Sequence, residues 1–373
     1  MTRIGFAYNQ KPDQVAALDA AELAPAELEE PPSSDGGLAT LVAPASVADD
    51  EFAEWDSPAT IQAVARALAH YGDVIPLEAT EDFPQRLRET RPDIVFNIAE
   101  GLRGPNREAH VPAICEFYGT PYSGSDPFTL ALCLDKARTK EILRARAVPT
   151  ADWWLISTQG ELLDFKRQGP LLPLFAKPVH EGSSKGITER NFIASHDALD
   201  VVADLLERYE QPVILEAYLP GAEFTCGVLG NGASARVLPI VAMNFGALPP
   251  GALPIYGFEA KWLWDTREEP LDIFECPANI TAVLRAEIED VVLRAYRALG
   301  CRDWSRVDVR LDANGRANVV EVNPLPGILP DPSDNSCLPK AARAAGLSYD
   351  ALIGAALGAA AERQDVVLRG GRR

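Results

Sequence analysis

The chain has 373 residues, of which 54 are Asp or Glu and 35 are Lys or Arg, so its formal net charge is −19 at pH 7. Such an acidic chain is not expected to bind nucleic acid in general, because that function needs a basic surface, although a local basic cluster can still bind a nucleotide. No run approaches the roughly 18 apolar residues of a membrane span, which argues against a membrane partner. The length is sufficient for two or three domains with a large core.

The cysteines and the N-terminus indicate a reduced, cytoplasmic protein. Six cysteines are scattered without a CxxC pair, so they are expected to be packed thiols and neither a disulfide framework nor a zinc site. The four histidines form no metal-ligand spacing either. The opening residues, MTRIGFAYNQ, are typical of a first β-strand and lack the longer apolar core of a signal peptide.

The first part of the chain alternates between strand and helix patterns. Residues 11–56 interrupt it with a stretch rich in Ala, Glu, Asp and Pro, interpreted as an acidic insertion. Ser57 and Pro58 then have the types expected at the cap and first position of a helix, which ends at Gly72. Alternation at this scale predicts an open, mainly parallel sheet. The elements are strands at 4–8, 74–77 and 93–98 and further helices at 83–90 and 111–118.

A polar loop, EGLRGPNRE at residues 100–108, follows the third strand. Ligands of open α/β sheets bind outside the carboxyl ends of the strands, so this loop is predicted to contact substrate through Glu100, Arg103 and Arg107. A guanidinium binds a carboxylate in a bidentate fork, and the two arginines therefore favour a larger or more acidic carboxylate donor. The alternatives are an ordinary polar loop and surface pairing of the arginines with Glu100 and Glu108.

The remaining elements include a Gly-rich run, EGSSKGI at residues 181–187. The spacing of Gly182, Ser184 and Gly186 matches the G-x-S-x-G of a hydrolase nucleophile elbow, but that motif needs a helix directly after it. A loop that covers phosphates fits better, with a tight hairpin turn as the bland alternative. Helices are predicted at 126–147, 197–209, 280–299, 339–345 and 349–361, and strands at 153–156, 171–179, 213–218 and from 223.

Residues 306–327 have the pattern of a β-hairpin. Three apolar positions alternate with charged ones, which is the period of a half-buried strand. Asn314-Gly315 is the dipeptide of a two-residue type I′ turn, in which both residues take positive φ. Such a turn pairs Ala313 with Arg316 and determines the register of both strands.

This register brings acidic side chains together. Asp308 would lie opposite Glu321, and Arg306 opposite Asn323, all on one face. Cross-strand Cβ atoms are roughly 5 Å apart, where like charges repel unless a cation lies between them. Two carboxylates and an amide oxygen suit Mg²⁺, which prefers oxygen ligands. The alternative is a solvated hairpin in which Arg306 and Arg310 neutralise the acids.

Taken together, these segments resemble the ATP-grasp superfamily and, within it, the D-alanine–D-alanine ligases. The resemblance covers nearly the whole chain from about Asp93 onward. The resemblance is specific, because many motifs occur in the same order as in the family. They are PYSGS at 121–125, DKARTK at 135–140, AKPVHEGSSKGI at 176–187, LEAYLPGAEFTCGVLG at 215–230, YGFEAKW at 256–262, ECPA at 275–278, GCRDWSRVDVRLD at 300–312, VVEVNPLPG at 319–327 and NSCLPKAARAAGLSY at 335–349.

The resemblance implies an α/β (α+β) ATP-grasp fold. An N-terminal open parallel-sheet domain at 1–125 would precede two ATP-clamping subdomains at 126–216 and 217–365. The implied cofactors are ATP and Mg²⁺, with two ions and with Mn²⁺ as a possible substitute. The implied ATP-binding residues are Lys136, Lys177, Glu181, Ser183, Ser184, Glu216, Ala217, Tyr218, Leu219 and Glu223. The implied metal ligands are Asp308, Glu321 and Asn323, the catalytic groups Arg306, Lys261 and the Gly327 amide, and a further substrate contact Ser336.

The implied activity is an ATP-dependent carboxylate–amine ligation of amino acids or short peptides through an acylphosphate, giving ADP and phosphate. Departures from the family pattern leave D-alanine open: Glu100-Gly101 replaces the usual His-Gly, and the opening loop lacks the family's glutamate. A strict D-alanine–D-alanine ligase and a non-catalytic nucleotide-binding regulatory protein are the alternatives, with a serine hydrolase more remote. The expected partners are small molecules, and a homodimer is one assembly open to the chain.

Overall fold

The computed structural model describes residues 1–12, 52, 54–257, 264 and 271–370. The predicted catalytic residue Lys261 lies outside the described residues. So does most of the predicted insertion at 11–56.

The described residues form both strands and α-helices. The strands are β1 (Arg3–Tyr8), β2 (Asp73–Glu78), β3 (Ile94–Asn97), β4 (Trp153–Ile156), β5 (Leu174–Pro178), β6 (Phe192–Ile193), β7 (Val213–Ala217), β8 (Glu223–Leu229), β9 (Arg236–Val237), β10 (Val241–Met243), β11 (Phe274–Glu275), β12 (Trp304–Leu311) and β13 (Ala317–Asn323). The α-helices are α1 (Pro58–Ala69), α2 (Phe83–Thr90), α3 (His110–Tyr118), α4 (Pro127–Leu134), α5 (Lys136–Ala145), α6 (Gln159–Arg167), α7 (Asp200–Tyr209), α8 (Ala282–Leu299), α9 (Cys337–Ala344) and α10 (Tyr349–Arg363).

The first sheet is parallel, in the order β2-β1-β3, as the alternating pattern predicted. Helix α1 begins where expected, because the Ser57 hydroxyl accepts the Thr60 N–H at 3.2 Å. Helix α10 packs against α1, and its Leu352, Ile353 and Leu357 are buried in the same apolar core as β1. The C-terminal helix therefore closes over the N-terminal sheet, and the domain boundaries at 125 and 216 stay a prediction.

Two antiparallel sheets form the rest of the fold. One has the order β4-β7-β5-β6, and helices α6 and α7 cover it. The other has the order β11-β10-β8-β12-β13, with β9 beside β8 and α8 packed against it. No single helix in the described part of the chain is long and apolar enough to cross a membrane.

The helix predicted over residues 126–147 is two helices, so that prediction is wrong. Asp135 has an extended backbone (φ −85°, ψ 99°) and separates α4 from α5. Its carboxylate accepts the Arg138 N–H at 2.9 Å, which makes it the cap of α5. The break therefore places Lys136 at the first turn of a new helix. Helix α6 was missed because it buries only Leu162 and Phe165, too few positions to show a period.

The turn of the β12–β13 hairpin differs from the prediction. The Asp312 N–H donates to the Arg316 carbonyl at 2.9 Å, so three residues form the loop, and of these only Gly315 has positive φ (75°). The Asp312 carboxylate stabilises this longer turn, because it accepts the N–H groups of Asn314 at 2.8 Å and Arg316 at 2.9 Å. The type I′ turn and the Ala313–Arg316 pairing are therefore wrong.

The register at the acidic residues is nevertheless as predicted. Asp308 lies opposite Glu321 and Arg306 opposite Asn323. A β-bulge makes this possible, because Val309 pairs with Val319 and the residue between Val319 and Glu321 has no partner on β12. The bulge cancels the one-residue shift that the longer turn introduces.

Candidate active site

A cavity of about 460 Å³ lies where the antiparallel sheets, the Gly-rich run and the end of the predicted insertion meet. Strands β5, β7, β8, β12 and β13 each contribute residues to its wall. The predicted site residues that line it are Glu100, Lys136, Lys177, Glu181, Ser183, Ser184, Glu216, Ala217, Tyr218, Leu219, Glu223, Arg306, Asp308, Glu321, Asn323, Gly327 and Ser336. The fold thus brings together side chains from six segments that are distant in sequence.

Asp308 and Glu321 face each other across β12 and β13 in the wall of this cavity. Asp308 accepts hydrogen bonds from Arg306 (Nη2 to Oδ2, 3.0 Å) and from the Thr225 hydroxyl (2.9 Å). Glu321 pairs with the Lys136 ammonium at 2.9 Å. The amide nitrogen of Asn323 lies 3.4 Å from Asp308 Oδ2. Each carboxylate therefore has its own cation, and the predicted ligands Asp308, Glu321 and Asn323 are neighbours.

Burial and these cations act in opposite directions on the two acids. Burial raises the pKa of Asp308 above its usual value, although Arg306 partly offsets it. Burial also favours the neutral form of Glu321, but Lys136 and Arg306 outweigh it and lower the pKa of this carboxyl. Burial lowers the pKa of Arg306, but the neighbouring acidic groups, Asp308 above all, together outweigh burial and raise it. The wall is therefore a half-buried set of charges of both signs.

A second buried charge cluster centres on Glu216 at the end of β7. Its two carboxylate oxygens lie 2.5 Å from Lys140 Nζ and 2.6 Å from Lys177 Nζ. Burial would raise the pKa of Glu216, but the two lysines lower it to about 2. Lys140 was not predicted as a site residue. Its spacing of four from Lys136 in DKARTK, one helical turn, was a signal that could have found it.

Glu223 is held by an arginine that the sequence also did not identify as a site residue. Arg310 Nη1 lies 2.8 Å from the Glu223 carboxylate, and Arg310 Nη2 donates to the Tyr218 hydroxyl at 2.9 Å. Burial raises the pKa of Glu223, and Arg310 opposes that effect. Two predicted nucleotide contacts, Tyr218 and Glu223, are thus fixed to each other through one guanidinium.

The Gly-rich run forms a tight loop over the cavity. Ser183 and Ser184 have positive φ (50° and 62°), and the Ser184 hydroxyl donates to the Tyr256 carbonyl at 3.2 Å. The Lys136 ammonium donates to the carbonyl of Glu181. A short 3₁₀ turn, Glu189–Asn191, follows, and not the α-helix of a nucleophile elbow. The geometry therefore favours a phosphate-covering loop over the hydrolase alternative.

The two predicted substrate arginines are not directed at the cavity. Arg103 is exposed and does not line it. Arg107 forms a bidentate pair with Glu54, at 2.8 and 2.9 Å from Nη2 to the two carboxylate oxygens. The cavity wall here is acidic instead, because Asp56, Glu100 and Glu108 line it. Neither the substrate contact nor the surface pairing with Glu100 and Glu108 describes the bonds that Arg107 makes.

The segment that follows β13 also contributes to the cavity wall, through Gly327 and Ser336. Gly327 lines the cavity, and an added Cβ there would meet no atom within 4 Å. The Ser336 hydroxyl accepts the Leu329 N–H at 3.1 Å and is 3.4 Å from the Gly327 carbonyl. Ser336 therefore orders the chain segment that presents the Gly327 amide.

Comparison with known proteins identifies the family. A family model described as the D-ala D-ala ligase C-terminus matches residues 143–357, more than half of the chain. A D-alanine–D-alanine ligase of Mannheimia succiniciproducens is 34% identical over 295 residues, which cover 78% of this chain and 88% of that protein. The chain belongs to the D-alanine–D-alanine ligase family. It is an ATP-dependent ligase that forms a peptide-type carbon–nitrogen bond, as the motifs predicted.

This ligase is also similar to an uncharacterized protein and to solved ligase structures. An uncharacterized protein of Sinorhizobium fredii is 35% identical over 270 residues, or 72% of this chain and 75% of that protein. The solved D-alanine–D-alanine ligase of Bacillus anthracis, complexed with ATP, superposes with a TM-score of 0.65 at 22% identity, covering 98% of this chain and 99% of that chain. The VanG D-Ala:D-Ser ligase of Enterococcus faecalis gives 0.64 at 20%, covering 96% and 99%. The ATP-grasp fold is therefore confirmed.

The Glu216 cluster should contribute strongly to the stability of the ligase. We expect Glu216→Gln to lower the free energy of unfolding by about 3 kcal/mol, because it leaves two buried ammonium groups without a counter-charge. Urea denaturation at pH 7 measures the change. Asp152→Asn is the control, since Asp152 pairs with Arg144 in an exposed ion pair worth no more than about 1 kcal/mol.

A comparison of the wild type with Glu216→Gln also tests the lowered pKa of Glu216. A carboxyl with a lowered folded-state pKa stabilises the fold above its unfolded pKa, and this contribution is lost as the pH falls toward the folded value. The difference in unfolding free energy between wild type and Glu216→Gln should therefore shrink by about 1.4 kcal/mol from pH 6 to about pH 3.5, one unit below the unperturbed value of 4.5. A difference that stays constant would contradict the assignment.

Proposed function

We propose that this ligase transfers the γ-phosphoryl group of ATP to the carboxylate of an amino acid or short peptide, after which an amine attacks the acylphosphate and releases phosphate. The observation that carries the proposal is the pair of opposed carboxylates, Asp308 and Glu321, with Arg306 and Lys136 beside them in the cavity wall. Such alternating charge is suited to a triphosphate and its counter-ions.

The donor set fits Mg²⁺. Asp308, Glu321 and Asn323 offer hard oxygen atoms, and burial of Asp308 disfavours its charge unless a cation is near. In the part of the chain that the structure describes, no three His, Cys, Asp or Glu side chains come together as a metal site, so phosphate oxygens would have to complete the coordination. When bound, the ion would neutralise charge on the transferring phosphoryl group.

The chain's own residues are proposed to hold the nucleotide and the charge that develops. Lys136 and Lys177 would bind phosphates, and Arg306 and the Gly327 amide would stabilise oxygen atoms of the reacting groups. Glu181, Ser183 and Ser184 belong to the loop that would cover the phosphates. Adenine would lie against Glu216 and the backbone of Ala217, Tyr218 and Leu219, with its ribose at Glu223.

The lining of the cavity where the carboxylate donor would bind favours a donor that carries an amino group. Asp56, Glu100 and Glu108 line it, whereas the nearby guanidinium of Arg107 is already paired with Glu54. An acidic pocket favours an ammonium group and disfavours the extra carboxylate that the arginines suggested. A D-alanine–D-alanine ligase proper is the second candidate, and the names of the relatives favour it.

The metal ligands provide the main test. Asp308→Asn and Glu321→Gln should each lower kcat by at least about a thousandfold, because each removes charge that would hold Mg²⁺ at the phosphates. ADP release with a panel of D- and L-amino acids measures turnover, and circular dichroism checks that the variants fold. Mg²⁺-dependent ATP consumption at the wild-type rate in either variant would remove the metal assignment.

The acidic pocket predicts a pH dependence. Burial and Glu54 raise the pKa of Glu108 to about 8, so this carboxyl gains charge between pH 6.5 and 8.5. The KM of the carboxylate donor should therefore fall about tenfold as the pH rises through this range, because an ammonium prefers the ionised acid. Glu108→Gln should reduce this pH dependence to the part that Asp56 contributes, because burial raises the pKa of Asp56 to about 7. Glu89→Gln, at an exposed acid on α2, should leave the profile as in the wild type. An unchanged profile in Glu108→Gln would count against an ammonium there.

A further inference from the structure

Glu54 joins three segments of the chain that are distant in sequence. Its carboxylate accepts the bidentate pair from Arg107, whose Nε adds a third contact at 3.2 Å. The Gly182 N–H donates to the same carboxylate at 3.1 Å, and Lys185 Nζ lies 3.3 Å away. The three charged side chains are 8%, 11% and 9% exposed for Glu54, Arg107 and Lys185. One buried anion thus holds both ends of the Gly-rich loop.

The backbone next to Glu54 is itself fixed to the first sheet. The Asp56 N–H donates to the Asn9 carbonyl, and the Lys11 N–H donates to the Asp56 carbonyl, both at 3.0 Å. Ser57, the next residue, caps helix α1. The carboxylate of Glu54 therefore extends from backbone that is hydrogen-bonded to the end of β1 and that continues into helix α1.

The Gly-rich loop is held on its other sides as well. Arg107 Nη1 donates to the His180 carbonyl at 3.0 Å, just before the loop. The Ser184 hydroxyl donates to the Tyr256 carbonyl on the far side of the cavity. An added Cβ at Gly182 would lie 2.5 Å from Glu54 Oε1, so a side chain at this position would displace the carboxylate from where it now lies. Glycine at position 182 therefore lets the loop approach Glu54 closely.

We propose that Glu54 is a positioning residue that latches the Gly-rich loop over the cavity. A carboxylate that only secured residues 54–56 to the fold would need Arg107 alone. The additional contacts to Gly182 and Lys185 attach the loop to it. Together with Glu181, whose carboxylate is 3.6 Å away, Glu54 supplies the negative charge that allows the Lys185 ammonium to stay buried. Arg107 then acts on the reaction through this latch. The proposal rests on the proposed function only for its effect on ATP, because the loop's accessibility needs no turnover.

Limited trypsin digestion of the full chain tests the latch directly. The Lys185–Gly186 bond lies in the loop, and its cleavage, followed by mass spectrometry, reports how often the loop opens. Glu54→Gln should speed this cleavage about tenfold. It should also raise the KM for ATP about tenfold with a much smaller change in kcat. A loop that contacts ATP equally in the ground state and in the transition state contributes to binding and not to the chemical step.

Two further variants make the outcome decisive. Asp204→Asn removes an exposed carboxylate that pairs with Arg190 at 2.8 Å in the same subdomain, and it should leave both measurements unchanged. Glu54→Asp keeps the charge but shortens the side chain, so it should fold if Glu54→Gln does not and should give an intermediate cleavage rate. Cleavage at Lys185 at the wild-type rate in every folded Glu54 variant would overturn the latch. Faster cleavage with an unchanged KM for ATP, measured from ADP release, would keep the latch and contradict only the proposed contact of the loop with ATP.

Discussion

The like charges of Asp308 and Glu321, which lie half-buried opposite each other on adjacent strands, are the constraint on which the rest of the site depends. Two carboxylates in that position repel unless cations separate them. Arg306 on the same strand and Lys136 at the start of helix α5 supply those cations. The break between helices α4 and α5, the cap at Asp135 and the bulge in β13 all serve to bring these four charges into one wall.

The same principle, a buried anion between two cations, recurs twice around the cavity. Glu216 lies between Lys140 and Lys177, and Glu54 lies between an arginine of the first domain's loop and a lysine of the Gly-rich loop. Each cluster joins segments that are distant in sequence. Because removing one member leaves an uncompensated buried charge, these clusters fix the relative positions of the elements more strictly than apolar contacts would. A triphosphate entering this cavity would exchange some of these pairs for its own.

Local patterns predicted most of the elements, and the family resemblance supplied most of the candidate site residues, but neither showed how these residues pair with one another. The alternation of strand and helix patterns predicted the parallel sheet, and motif order predicted the ATP-grasp fold. The register of Asp308 and Glu321 was right although the turn was wrong, because an Asx turn at Asp312 and a bulge near Val319 offset each other. Pairings across long sequence distances, such as Lys140 with Glu216, leave no local signal. Glu54 in particular lay in a stretch whose composition indicated only an insertion.

We propose that a carboxylate oxygen of the substrate attacks the γ-phosphate of ATP. Supplying ¹⁸O-labelled carboxylate of whichever amino acid supports ADP release, and analysing the released phosphate by ³¹P NMR, tests this most directly. An acylphosphate intermediate transfers one carboxylate oxygen to phosphorus, so the account predicts one ¹⁸O atom in each phosphate released. Unlabelled phosphate, or release of AMP and pyrophosphate in place of ADP and phosphate, would contradict it.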